Sequence, residues 1–166
     1  MRRIVLSIFC VYMVSVAFAF AAPPQKATSY SLTGWRSVEM VTGTITASGG
    51  APLLTSGDGK LRLSARKIVI RSSGAKDKQT VTSVEAMGSV SLESREGPKQ
   101  DIRATCARAI IRIAENVAVL SDGVKVSGHD GERAFSASSD VVKLHLKSQR
   151  VELSAPDKGS LKIGPR

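Results

Sequence analysis

The sequence predicts an all-β chain, a run of antiparallel hairpins that share one apolar face. Three observations carry this reading. Apolar and polar residues alternate in short runs, most cleanly at Val84, Ala86, Gly88, Val90 and Leu92, and period-two alternation marks strands with one buried face. Clusters of Gly, Ser, Asp and Pro separate the runs. Beyond the first 21 residues, no window holds the i, i+3, i+4, i+7 spacing with caps that a helix needs.

The chain opens on a targeting segment. Arg2 and Arg3 precede the uncharged apolar run from Ile4 to Phe20, and Ala19-Phe20-Ala21 has the small-x-small form of a cleavage site. Ala17-Phe18-Ala19 is a second such site, and Pro23 disfavours cleavage after Ala22. The 17-residue run is shorter than the roughly 20 residues of a membrane span. Residues 1–21 therefore read as a signal peptide cleaved near Ala21, with an uncleaved anchor as the alternative. Loss of Arg2 and Arg3 lowers the formal charge from +10 to +8 and leaves Cys106 as the one cysteine. No internal disulfide can then form, and a single domain of this length can rely on its core. Alternation with Ile102 and Ala104 marks Cys106 as buried rather than reactive.

Residues 22–34 read as an extended polar entry. Val41, Gly43, Ile45 and Ala47 share one face of a strand, which Gly49-Gly50-Ala51-Pro52 breaks. Gly57-Asp58-Gly59 marks the next turn. Leu61, Leu63 and Ala65 alternate, and then the apolar parity switches to Ile68 and Ile70, as a bend or bulge would require. Residues 72–79 read as a polar loop, and so do residues 93–100. From Ile102 to Ile113 the parity again changes, near Ala107. Glu115-Asn116 is a turn, Ser121-Asp122-Gly123 another, and His129-Asp130-Gly131 a hairpin signal. Phe135 to Leu146 and Val151 to Ala155 alternate, and Leu161 and Ile163 form a last pair. Ala65 and Ala107 are thus expected bends, and a bulky β-branched residue at Ala107 should disturb the fold more than one at Ser94, expected to be exposed.

Two anchors recur in fixed order. One is a glycine before an apolar residue: Gly43-Thr-Ile45, Gly88-Ser-Val90, Gly123-Val124. The other is a small residue three before an apolar one: Ala65-Arg-Lys-Ile68, Ala107-Arg-Ala-Ile110, Ser138-Ser-Asp-Val141. Repeated hairpins with variable loops give this pattern. With these segments the chain, over residues 38–155, resembles the LptA/OstA-like family of lipopolysaccharide-transport proteins. The resemblance implies an open, curved β-jellyroll over residues 38–166, preceded by an extended segment over residues 22–37. It implies a periplasmic protein that holds the acyl chains of lipopolysaccharide in an apolar groove. It also implies partners of the same fold, joined by edge-strand pairing in head-to-tail oligomers that bridge the inner and outer membranes. The membrane-anchored LptC-like subunit of the same fold is the alternative within that system.

The expected groove residues are Leu63, Ile68, Ile70, Val90, Leu92, Ile111, Ile113, Val126 and Leu144, with Arg66, Arg108 and Arg112 meeting anionic head groups. A basic mature chain suits such a ligand. Nucleic acid, also anionic, is disfavoured by export and by the few aromatics, Tyr30, Trp35 and Phe135, available for stacking. No cofactor, metal site or enzyme activity is expected. The chain has no nucleophile elbow, no HExxH, no cysteine pair and no phosphate-binding glycine loop. His129 and His145 read as surface residues. Two other classes stand beside lipid transport: a ligand-free structural β-domain that assembles by its edges, and a hydrolase using His129 or Asp130.

Overall fold

The computed structural model describes residues 29–74, 79–97, 100–154 and 160–165. The expected signal peptide lies outside these residues. Ten strands run in chain order: β1 (Tyr30–Val41), β2 (Thr44–Ser56), β3 (Leu61–Ser64), β4 (Lys67–Ser73), β5 (Thr80–Gly97), β6 (Gln100–Arg112), β7 (Val117–Asp130), β8 (Arg133–His145), β9 (Arg150–Ser154) and β10 (Ser160–Pro165). All pairings are antiparallel and all strands belong to one sheet, with β1 at one end and β9 and β10 at the other. No helix occurs among the described residues.

That single sheet is folded across its middle. Residues 44–48 of β2 pair with β4, whereas residues 53–55 pair with β3. β5 divides in the same way between β4 and β3, with Gly88 and Ser89 at the division. Register shifts continue the line through β6 and β7, between Thr105 and Arg108 and between Ser121 and Val124. On β1 the shift falls between Thr33 and Trp35. One half of the sheet is β4, β9 and one end of each long strand; the other is β3, β10 and the opposite ends.

The corners are sited by local chemistry. Gly34, Gly49, Gly50, Gly88 and Gly123 all have φ between 70° and 76°, a region open to glycine and strained for most L-residues. At Gly50 the backbones also approach closely, since a Cβ there would lie 2.5 Å from the Gly34 carbonyl oxygen. Between β3 and β4 the corner is Ala65-Arg66, whose amides donate to the Pro52 and Gly88 carbonyls at 3.2 and 2.8 Å. The bend expected at Ala65 is therefore present, as is the irregularity at Ala107.

Several boundaries differ from the sequence reading. Strand β1 starts at Tyr30, inside the expected polar entry, because edge pairing with β2 needs no buried face. Thr42-Gly43 is the β1–β2 turn, so Val41 and Ile45 are on different strands. Gly49-Gly50 and Asp122-Gly123 bend β2 and β7 without ending them, as bulges do. Most of the expected loop over residues 93–100 is strand, with β5 reaching Gly97 and β6 starting at Gln100. The expected contrast between Ala107 and Ser94 reverses: Ala107 is exposed and Ser94 is 5% exposed.

Between the halves lies one aliphatic core. Leu54, Leu63, Ile68, Val84, Leu92, Ile111, Leu120, Val142 and Leu144 are at most 1% exposed, and burying each such side chain contributes about 1.5–3 kcal/mol. On the outer face Glu85 is nearly buried and holds two arginines: Arg108 Nε at 3.1 Å and Arg71 Nη2 at 3.3 Å. The Arg108 hydrogen bond, above all, keeps the Glu85 carboxyl below its usual pKa.

Two outcomes follow for stability. Gly50→Ala should lower the urea midpoint more than Gly123→Ala. Both positions have positive φ, at a cost of about 1–3 kcal/mol, but only Gly50 also meets backbone, whereas a Cβ on Gly123 meets nothing within 4 Å. Equal midpoints would count against the close approach. For Glu85, the folded carboxyl titrates below the unfolded one, so its contribution is complete above the ordinary glutamate value of 4.5 and is lost as pH falls through the lowered folded value. The melting temperatures of wild type and Glu85→Gln should therefore converge on acidification, and a pH-independent gap would exclude the pairing.

Candidate functional site

The apolar interior and its mouth are the candidate site. Because each strand bends at the same level, side chains of one parity from both halves point into the fold. Leu63, Ile68, Ile70, Val90, Leu92, Ile111, Val126 and Leu144 all belong to the buried core cluster, and half-buried Ile113 packs against it. All nine expected groove residues thus come together. They are packed against one another, so the groove is closed along its floor in this structure.

It opens at the side opposite the fold line. A cleft of about 380 Å³ separates two lips there. Tyr30, Ser56, Asp58, Lys60, Leu61, Ser94 and Glu96 form one lip, and Ile113, Asn116, Leu146 and Lys147 the other. The first lip is held by its own turn: the Leu61 amide donates to Ser56 Oγ at 2.9 Å, Ser56 Oγ donates to Asp58, and Lys60 Nζ meets Glu96 at 2.7 Å. Burial, and then the Asp58 charge, raises the pKa of the Tyr30 phenol. Gln149, in the β8–β9 turn, crosses between the lips and donates from Nε2 to Ser94 Oγ at 2.9 Å.

The three expected head-group arginines are elsewhere. Arg108 is engaged by Glu85 on the outer face, and Arg112, also facing outward, lies 3.3 Å from Glu115. Arg66 is exposed at the β3–β4 corner, with its side chain against Gly88. Alternation explains their placement: arginines that interleave with core residues along a strand must point away from the core. The cations at the mouth are Lys60 and Lys147 instead.

Sequence reasoning missed Tyr30, Ser56, Ser94 and Gln149. Ser94 had a signal, since it continues the inward parity of Val90 and Leu92. Gln149 had none, because a turn residue carries no parity.

Other chemistry is sparse. The Cys106 thiol is buried, donates to the Arg108 carbonyl at 3.1 Å and has a pKa raised by burial, the pattern of an unreactive thiol. His129 Nδ1 lies 3.0 Å from Asp101, and His145 Nε2 lies 3.0 Å from Glu152. Both pairs are on outward parities, away from the cleft. Among the described residues no cluster of three or more His, Cys, Asp or Glu side chains could hold a metal.

No protein-family model matches the chain, and no curated protein does. Solved structures do match. One is LptH from Pseudomonas aeruginosa, described as the LptA-homologous periplasmic component of the conserved lipopolysaccharide transport device. It superposes with a TM-score of 0.70 at 17% identity, covering 86% of this chain and 100% of the LptH chain. The all-β folded sheet built here from corners and alternation is therefore an LptA-like β-jellyroll.

Proposed function

We propose that this protein is a periplasmic lipopolysaccharide-binding transport protein that carries acyl chains between the two halves of its sheet and catalyses no reaction. The observation that carries this reading is the interior: a continuous aliphatic surface shared by two sheet halves, with a polar-rimmed opening along one side. The likeness to LptH supports it. Acyl chains would enter by parting the lips, and Lys60 and Lys147 would meet the anionic head group at the rim.

The ends of the sheet suit assembly with other domains of this fold. β1 is a 12-residue strand with one edge unpaired among the described residues, and Trp35, Met40 and Val41 on it are 47%, 74% and 60% exposed. At the other end, Ile163 of β10 is 67% exposed. Edge strands that expose large apolar side chains either aggregate or recruit a partner strand. Head-to-tail pairing of β1 with the β9–β10 end of the next domain would cover both and extend the groove from one membrane towards the other. A leader cleaved near Ala21 would release the protein for this role.

The close packing of the core favours one competing reading, a ligand-free structural domain. Photocrosslinkers at Leu92 and Ile113 should capture lipopolysaccharide in cells, while one at outward-facing Thr105 should not. Capture at Thr105 equal to that at both inner positions, or no capture at the inner ones, would favour the structural domain.

A further inference from the structure

The mouth contains one polar feature that its packing does not account for. Gln149 Nε2 donates both to Ser94 Oγ, at 2.9 Å, and to the Leu146 carbonyl, at 2.7 Å. A backbone carbonyl can only accept, so the nitrogen must face Leu146, and the orientation of the amide is settled. Its other end, Oε1, is buried and has no hydrogen-bond partner among the described residues. Leaving a buried acceptor unmade costs more than an ordinary hydrogen bond contributes. The backbone at Gln149 is also left-handed, with φ of 53°, uncommon for a residue other than glycine, asparagine or aspartate. Asn116 has the same φ at the last position of the β6–β7 turn, so this is the conformation of the turn, and it sets the amide across the opening with Oε1 unmet.

The position is informative. Ser94 and Leu146 both line the cleft. Two residues inward along each strand lie Leu92 and Leu144, both core residues. Gln149 does not itself line the cleft, but its amide is bonded to two residues that do, one on each lip, so parting the lips separates it from Ser94.

We propose that Gln149 is a specificity-determining contact of the mouth: its amide bridges the lips through Ser94, and its unpartnered Oε1 accepts a hydrogen bond from an amide N–H or hydroxyl carried on an entering acyl chain. This rests on the lipid-binding reading above and adds the chemistry that the site selects. A ligand bearing such a donor near its chain satisfies Oε1 as it displaces Ser94. A chain with only acceptors breaks the bridge and gains nothing at Oε1, so it binds more weakly than a donor-bearing chain by about the contribution of one buried hydrogen bond.

The test uses decanamide and methyl decanoate, which share a chain and differ in N–H donors. Each competes with an environment-sensitive apolar dye for the full-length protein, and the amide-to-ester affinity ratio is compared across variants. That ratio should fall about tenfold from wild type to Gln149→Leu, the loss expected for one buried hydrogen bond. It should be unchanged in Ser94→Ala, which loses the bridge, keeps the acceptor and should take up both probes faster. If Gln149→Leu does not melt cooperatively, Gln149→Asn replaces it. Asparagine suits left-handed backbone and withdraws the amide by one methylene, so the ratio should fall there too. An equal ratio in wild type and the Gln149 variant would overturn this inference alone and leave an internal water as the partner of Oε1. Failure of both probes to displace the dye from wild type would overturn the lipid-binding reading, and the inference with it.

Discussion

The long strands must bend at one common level, and the rest of the molecule depends on that constraint. A flat antiparallel sheet of this width would bury only one face, and only against something else. Folding it across the middle lets the sheet bury its inner face against itself. The bend works only if the corners of neighbouring strands are in register, because an offset corner would turn part of one strand's inward set to the outside. Gly34, Gly49-Gly50, Ala65-Arg66, Gly88-Ser89, Thr105–Arg108 and Asp122-Gly123 meet this condition as a line across the sheet. Left-handed glycines and small residues are the chemistry that turns a strand without ending it.

The same alternation separates charge from apolar surface. Inside, the core is mainly aliphatic. Outside, Glu85 organises Arg71 and Arg108, and Glu152 gathers Lys143, His145 and Arg150. Several of these cations are therefore balanced locally, and their value for an anionic ligand is smaller than their number suggests. At the lips, apolar interior, cations and hydroxyls meet, which is the arrangement an amphiphile requires. The lipid-binding role proposed above would need the lips to part, because the floor is closed by its own side chains and the mouth is bridged by Ser94 and Gln149.

Much of this was legible beforehand, for a physical reason. Alternation reports burial directly, so the residues from Leu63 to Leu144 expected to line a groove do face one interior. The parity switches near Ala65 and Ala107 reported corners, because a corner is the place where inward parity must be reset. Even the two repeated anchors have one structural meaning: Gly88, Gly123, Ala65 and Ala107 all lie on the fold line. Gly43 is the exception, sitting in the β1–β2 turn while Gly49-Gly50 makes the corner of β2. A glycine pattern cannot distinguish a turn from a bulge, since both need the same backbone region. That ambiguity also explains why the glycine-rich stretches at residues 49–52 and 121–123 read as breaks.

By itself, the sequence determined the strand content, the inward-facing set and the level at which strands bend, since these follow from side-chain period and local backbone freedom. Tertiary structure alone decided which half of each strand faces which, that the arginines expected at a head group point outward, and that Ser94 meets Gln149. These two residues are 55 positions apart, and no local rule connects them. Their contact exists because folding the sheet brings its two lips together.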